Sequence, residues 1–292
     1  RDFAEHSYGF RPGRGCKDAL RRVDALLGRG CAWVVDADLK SFFDSIPHEQ
    51  LMERVEKQIA DGRVLSLIRS YLKQQVLEGA SSWTPEGGTP QGAIISPLLA
   101  NIYLDPLDRE MAQSGFEMVR YADDFVVLCR TEEEAQTALE RIQRWVAQNG
   151  LTLHPDKTRV VDASQRGGFD FLGYHFERRM RWPSGKSVGK FRDVVRRKTR
   201  RANGNSLEYI VTNVNRTIRG WFEYFKHGKA NTFPSLDGWV RGRLRSILRK
   251  RIKLKGRGRG RDHQRWPNAY FAELGLFSMH TARVQASQPA RR

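Results

Sequence analysis

Apolar residues return at helical spacing from Cys16 to Gly30 ("CKDALRRVDALLGRG") and predict an amphipathic helix closed by glycine. The next run, "CAWVVDADLKSFFDSI", is rich in strand formers and changes character near Lys40. "PHEQLMERVEKQI" and "GRVLSLIRSYLKQQV" return to a helical pattern. A Gly/Pro-rich loop, "TPEGGTPQG", then leads into the helical stretch "ISPLLANIYLDPLDREMAQ". A hairpin follows around Asp123. After it comes the helix "TEEEAQTALERIQRWVAQNG", with Thr131 as N-cap, acids in the first turn and a terminal glycine. Short strands are expected at "LTLH", "TRVVD" and "FDFLGYHF", and this order suits a split βαβ sheet. From about residue 190 the pattern turns helical and basic, most clearly in "SLEYIVTNVNRTIRGWFEYFKHG" and "LDGWVRGRLRSILRKRIKLKG". No internal repeat is visible, and "GRGRGR" (256–261) reads as a flexible basic loop. The change of pattern sets a domain boundary near 187, dividing 1–187 from 188–292.

Composition narrows the class. The chain has 292 residues, 39% hydrophobic and 29% charged, the profile of a soluble globular protein. No apolar run nears the roughly 18 residues of a membrane helix, and no signal peptide opens the chain. The first residue is not Met, so a processing or annotation boundary is expected there. Cys16, Cys31 and Cys129 are scattered, which speaks against a disulfide framework or cysteine zinc site and fits a reducing cytoplasm. Charge is unevenly placed. Residues 188–292 hold 26 Lys+Arg against 6 Asp+Glu, a net of +20, whereas residues 1–187 are close to neutral at −2. Such a block, interleaved with Trp and Tyr, is the footprint of a polyanionic partner, with nucleic acid first; a solvated basic surface is the bland competitor.

Two apolar stretches carry acids. Asp36 and Asp38 share one face of "VVDADLKSFF", and Asp123 and Asp124 sit at the turn of "MVRYADDFVVLC". Buried carboxylates are expensive unless compensated. A divalent cation resolves the conflict, and Mg²⁺ favours carboxylate, water and phosphate oxygens. Two ions about 3.5–4 Å apart would serve phosphoryl transfer. Alone, an Asp-Asp pair at a hairpin tip is equally ordinary turn chemistry.

The order of the blocks carries more. "VVDADLKSFFDSI", "GTPQGAIISPLLANIYL", "YADDFVVL", "LTLHPDKT" and "FDFLGYHF" stand in the order of reverse-transcriptase blocks. With "SYGFRPGRG" before them and "IRGWFEYFKHG" after, the chain resembles the bacterial group II intron-encoded reverse transcriptases, or intron maturases, over nearly its whole length. The resemblance implies an α+β fold: a right-hand polymerase palm and partial fingers in 1–187, then an all-α basic thumb, or maturase domain, in 188–292. It implies RNA-directed DNA synthesis from a primer 3′-OH with dNTPs and two Mg²⁺ ions, Mn²⁺ substituting. Intron RNA binding that promotes splicing and retrohoming, in a bacterial cytoplasm, is implied with it.

By the same resemblance Asp38, Asp123 and Asp124 are the metal-binding catalytic acids, and the Leu39 carbonyl is a further ligand. Asp36 stands where an acid is common but is no ligand. Phe43 matches the aromatic gate against a ribose 2′-OH, with a plain core aromatic as competitor. Pro90, Gln91, Gly92 and Tyr121 match positions around the incoming nucleotide. Arg11 and Arg14 match triphosphate-gripping positions, where a planar fork suits the task; surface charge in a glycine-rich turn competes. Lys157 stands where a lysine is proposed to protonate pyrophosphate, and an exposed strand-end lysine is the alternative. Leu172 and Gly173 match the primer grip, against a plain core hairpin.

In the basic region, Arg196, Arg197, Lys198, Arg200, Arg201, Arg243, Arg245, Arg249, Lys250 and Arg251 are the expected nucleic-acid contacts. The aromatics of "GWFEYFKH" suit a core face better than base stacking. The family's N-terminal extension and first fingers block have no counterpart here, and no H-N-H endonuclease follows. The second reading is therefore a truncated, catalytically inactive maturase that only binds intron RNA; other bacterial reverse transcriptases stay open as a third.

Overall fold

The computed structural model of the protein describes residues 3–74, 76–78, 81–83, 87–90, 93–254 and 260–287. Gln91, Gly92 and most of "GRGRGR" lie outside the described residues. The chain forms two compact units: Arg1–Leu172 with Phe176–Arg179, and Gly173–His175 with Met180–Arg292.

In the first unit, α1 (Cys16–Gly28) buries Ala19, Leu20, Val23, Leu26 and Leu27, the stripe that its spacing predicts. Strand β1 (Trp33–Asp38) follows, then a short helix α2 (Phe42–Ser45), α3 (His48–Glu56) and α4 (Gly62–Leu72). Asp61 caps α4, its carboxylate accepting from the Arg63 and Val64 amides. The helical pattern of "SYLKQQV" stops at Leu72. Val76–Glu78 (β2) and Ser81–Trp83 (β3) instead pair as an antiparallel two-stranded ribbon, with Val76 opposite Trp83.

Helix α5 (Ser96–Gln113), hairpin β4 (Glu117–Tyr121) and β5 (Asp124–Cys129), helix α6 (Glu132–Gln148) and β6 (Arg159–Asp162) complete the core. Thr131 caps α6 through its hydroxyl to the Glu134 amide. The sheet order is β4-β5-β1-β6, and the three pairings run antiparallel. "LTLH" is not a strand: Leu153 makes a single bridge to Leu39. That bridge still ties residues 152–154 to the end of β1, through Lys40 N–H to the Thr152 carbonyl and His154 N–H to the Asp38 carbonyl. Leu99, Tyr103, Leu104, Leu107 and Met111 of α5 pack with Phe125 and Val127 of β5 and with Leu139 and Ile142 of α6.

"FDFLGYHF" opens at Leu172–Gly173 into β7 (Phe169–Phe171) and β8 (Tyr174–Glu177), with β9 (Met180–Pro183) after them; the division between the units falls among these strands. The second unit is helical: α7 (Gly185–Lys198), α8 (Leu207–Phe225), α9 (Thr232–Arg251), α10 (Arg261–Arg265), α11 (Asn268–Glu273) and α12 (Met279–Ser287). Its core joins Val211, Val214, Ile218 and Phe222 of α8 to Phe233, Leu236, Val240 and Leu244 of α9. No described helix is long and apolar enough to cross a membrane.

Candidate active site

Strand register gathers the acids. β1 and β5 pair with Asp38 opposite Asp124 and Asp36 opposite Val126. β4 and β5 pair with Tyr121 opposite Asp124, leaving Ala122 and Asp123 as a two-residue turn. Three carboxylates thus stand at one end of a sheet whose interior, Val34, Val35, Phe125, Val126 and Val127, is fully buried. The tight turn requires a left-handed backbone at its first position, and Ala122 supplies it at φ +59° where glycine is usual. Phe10, Ser41 and Leu172 are also non-glycine residues with positive φ, and each lies in a block that carries candidate residues.

Electrostatics mark the same place. Asp124 keeps solvent-accessible surface yet is densely surrounded by protein, and desolvation drives its pKa up to about 7. The Leu172 amide, hydrogen-bonded to it, opposes the rise, while Asp123, Asp36 and Asp38 add to it. Asp123 is raised as well, first by desolvation and then by Asp38. Asp36, half-buried, is pushed to about 6 by desolvation; Arg159, its neighbour across β1 and β6, pulls it down from 3.4 Å. Lys157 Nζ lies 2.7 Å from the Asp38 carboxylate. Among the described residues no three His, Cys, Asp or Glu side chains come close enough to hold one ion together. Like charges spread, and Lys157 stands beside Asp38 as a cation of the chain's own. The donor set nonetheless fits a hard divalent cation: oxygen ligands alone, on a rigid sheet end, with repelling carboxyls that a cation would relieve.

The neighbouring candidates are reached from the backbone. Phe42 is the buried ring of "SFF" and Phe43 the half-exposed one, edge-on to it at 5.4 Å and packed against the core with part of its ring. The Phe43 carbonyl accepts the Thr89 amide at 2.6 Å, and the Ile46 carbonyl accepts that of Gly88 at 2.7 Å. His48 Nε2 meets the Gly88 carbonyl at 2.7 Å. The loop through Pro90 is therefore docked beside Phe43. Gly88, at φ +86°, leaves room for the Phe43 carbonyl, which a Cβ would approach to 2.7 Å. Tyr121 packs near Phe10 at 6.1 Å, and its hydrogen bond with Cys16 leads the causes that raise its hydroxyl to about 12.

Arg11 and Arg14 are engaged locally. Arg11 Nη1 donates to the Ala4 and Ser7 carbonyls at 2.7 and 2.8 Å, and Arg14 donates to the Glu5 carbonyl. These bonds brace the N-terminal segment, which lies on β4: Tyr8 N–H donates to Arg120 O at 2.9 Å and Arg120 N–H to His6 O at 3.0 Å. Gly9 then passes so close to the turn that a Cβ would collide with the Ala122 nitrogen and lie 3.0 Å from the Tyr121 carbonyl carbon. Gly9→Ala is expected to cost about 1–3 kcal/mol, because backbone meets backbone there and neither yields. A shift of the urea midpoint at unchanged slope measures it.

In the second unit the basic residues separate into two kinds. Arg245 is a correction to the expected nucleic-acid contacts. It is 2% exposed, donating to the Trp266 carbonyl and to Asn268 Oδ1, both at 2.9 Å, under the Phe271 ring. Arginine stems and forks fill core space as well as meet phosphates. Arg249 reaches Asp262 at 2.5 Å, Arg243 the Thr199 carbonyl at 2.7 Å, and Arg201 the Ser246 carbonyl. Lys198 bonds Asn213 and Thr217, and Arg251 the Asn205 carbonyl. Arg196, Arg197, Arg200 and Lys250 remain solvent-exposed, Arg196 beside Asp193.

Sequence reading missed Arg120 and its partner Asp108, both buried in the first unit and joined at 2.5 Å. Burial pushes the Asp108 carboxyl up, and Arg120 opposes this. The signal was present: an arginine inside an apolar strand beside two acids demands a buried counter-charge. A concavity of about 680 Å³ lies elsewhere, lined by Phe3, Arg54, Leu98, Ile102 and Pro106, and holds none of the candidates.

Comparison with known proteins adds two family models. One, described as reverse transcriptase (RNA-dependent DNA polymerase), matches residues 1–176; the other, the group II intron maturase-specific domain, matches 188–266. Protein YkfC of Escherichia coli K12 is 31% identical over 218 residues, 61% of this chain and 56% of that protein. The group II intron-encoded protein LtrA of Lactococcus lactis subsp. cremoris is 42% identical over 111 residues, 38% of this chain and 18% of that protein. The chain thus spans between about a fifth and just over half the length of these curated relatives. Among solved structures, a Candida tropicalis telomerase, determined with a fragment of telomeric RNA, aligns with 98% of this chain and 51% of its own. Its TM-score is 0.53 at 12% identity, a likeness of fold alone.

Proposed function

The chain belongs to the reverse transcriptase (RNA-dependent DNA polymerase) family, and from that premise we propose that it extends a primer 3′-OH on an RNA template with dNTPs. The observation that carries the reading is the register that sets Asp38 opposite Asp124 with Asp123 in the adjoining turn. Asp38, Asp123, Asp124 and the Leu39 carbonyl would hold two Mg²⁺ ions, or Mn²⁺, whose chemistry is to activate the primer hydroxyl and stabilise the departing pyrophosphate oxygens. The chain's own groups do the rest. Phe43 would exclude a 2′-OH, and Pro90, Gln91, Gly92 and Tyr121 would border the nucleotide; Arg11 and Arg14 would exchange their carbonyl partners for its triphosphate. Lys157 is within reach of the same acids to hand a proton to pyrophosphate. Leu172, whose amide already holds Asp124, supports the primer end together with Gly173.

Primer extension on an RNA template, comparing dNTPs with rNTPs, tests this. Deoxynucleotide-dependent product is expected, and its absence while ribonucleotides are incorporated would overturn the reading.

The domain matched at 188–266 supports a second task, binding intron RNA to promote its splicing; retrohoming, in a bacterial cytoplasm, would follow from that binding. Exposed Arg196, Arg197, Arg200 and Lys250 are its phosphate contacts, whereas Arg245 is structural. Arg197→Ala is expected to lower the slope of log affinity against log salt by roughly 0.7–0.9. Arg245→Ala should leave that slope unchanged and destabilise the second unit by about 1–3 kcal/mol, since the Trp266 carbonyl loses a buried donor. Filter binding across a salt series, with melting curves, reads both. The alternative is a catalytically inactive protein that only binds intron RNA. Tight RNA binding with no nucleotide incorporation would select it.

A further inference from the structure

Arg120 has no exposed surface, and its guanidinium is fully matched. Nε and Nη2 form a fork on the Asp108 carboxylate at 2.8 and 2.5 Å. Nη1 donates to Asn101 Oδ1 at 2.9 Å and to the Ala122 carbonyl at 2.8 Å. Nη2 also donates to Ser7 Oγ at 2.9 Å. These five bonds match the five N–H donors that an arginine has. Asn101 in turn donates from Nδ2 to the Gly9 carbonyl at 2.8 Å. One side chain therefore joins three parts of the first unit: α5, which carries Asp108 and Asn101; the N-terminal segment at Ser7 and Gly9; and the catalytic turn at Ala122.

The bond to Ala122 matters most. Its backbone is in the left-handed region, so the turn departs from its own preference and needs an external hold. The Ala122 carbonyl belongs to the peptide that leads into Asp123. Whatever fixes that carbonyl fixes the direction in which both acids leave the turn. Lysine could carry the charge but has neither the fork nor five donors.

We propose that Arg120 is the positioning residue of the catalytic turn, holding the Ala122 carbonyl and tying the segment Ser7–Gly9 to it so that Arg11 and the paired acids keep one spacing. This rests on the polymerase reading for its consequence, though not for its geometry.

The test compares four versions of this chain: wild type, Arg120→Lys, the Ser7→Ala/Asn101→Ala pair, and Ile142→Val as a core control on α6. The double variant keeps the Arg120–Asp108 pair and covers the case in which Arg120→Lys fails to fold. Hydrogen exchange is read at the amides of 122–125, of β1 and of α6. The turn amides are expected to exchange at least about tenfold faster in Arg120→Lys and about threefold faster in the double variant, which keeps the bond to Ala122 but loses the tie to Ser7 and Gly9, with β1 and α6 as in Ile142→Val. Primer extension should show kcat falling about tenfold or more in Arg120→Lys, with wild type and Ile142→Val alike, while KM for dNTP moves less than twofold. Uniform acceleration across β1 and α6, or none at the turn, would overturn the proposal, as would a loosened turn with unchanged kcat. A wild type that extends no primer would refute the polymerase reading instead, and the exchange pattern would still decide whether Arg120 holds the turn.

Discussion

Asp124→Ala is expected to abolish RNA-templated DNA synthesis, a fall of about 10³-fold or more in primer extension, corresponding to some 4 kcal/mol of lost transition-state stabilisation. The carboxylate has no substitute in the sheet end: Asp38 is already beside Lys157, and Asp36 faces Arg159. Asp124→Asn separates charge from shape, and it should be equally inactive but more stable than wild type. Its folded pKa of about 7 lies above the unfolded value of 3.8, so the folded state binds the proton more tightly. Stability is therefore lost as pH rises from about 4 through about 7, and the penalty is fully present at pH 8. Solvent at the carboxylate screens most of that shift, leaving about 1 kcal/mol, or roughly 2–4 °C in Tm. Melting curves without metal at pH 3 and pH 8 should show the asparagine variant ahead at pH 8 and level with wild type at pH 3, below the unfolded value. Retained synthesis by the alanine variant would remove these acids from the mechanism.

The second large effect is on sugar selection. Phe43→Ala should raise ribonucleotide incorporation relative to deoxynucleotide by about 10–200-fold, the range available to a steric fit of this size. Phe42 supplies the internal comparison. It is the buried ring, so Phe42→Ala should cost about 3–5 kcal/mol in stability and leave the ratio of kcat/KM for the two nucleotides near wild type. The docking of Thr89 on the Phe43 carbonyl is a main-chain bond and survives either change. Equal selectivity in Phe43→Ala and wild type would make Phe43 an ordinary core aromatic.

Much of this was legible in the chain because local and tertiary preferences agree. The helix from Cys16, the Thr131 cap and the acids of β1 and the "YADD" turn follow from spacing and turn chemistry alone. "LTLH" misled because alternation was read as pairing, whereas only Leu153 makes a bridge, to Leu39 beyond the end of β1. The ribbon at Val76 was hidden under a helical run that ends at Leu72. Arginines were the least legible. Arg197 and Arg245 look alike in a basic run, and only the fold separates an exposed charge from one sealed beneath Phe271. Arg120 went unread for the converse reason: its counter-charge lies twelve residues back, on a helix whose inward face could not be assigned to it in advance.

Phe10, Ser41, Ala122 and Leu172 share one backbone peculiarity, and it bears on how this protein could be engineered. Each left-handed, side-chain-bearing residue costs about 1 kcal/mol that glycine would avoid. Glycine would restore a similar amount of freedom to the unfolded chain, so stability would hardly move. What would change is local stiffness, since a glycine turn wanders where an alanine turn does not. Screens that rank variants by melting temperature would pass such substitutions as neutral while the site lost its definition. Thermostabilising this scaffold therefore belongs on the exposed faces of α6 and α8, with these four positions held fixed and activity, not heat resistance, used to judge any change near them.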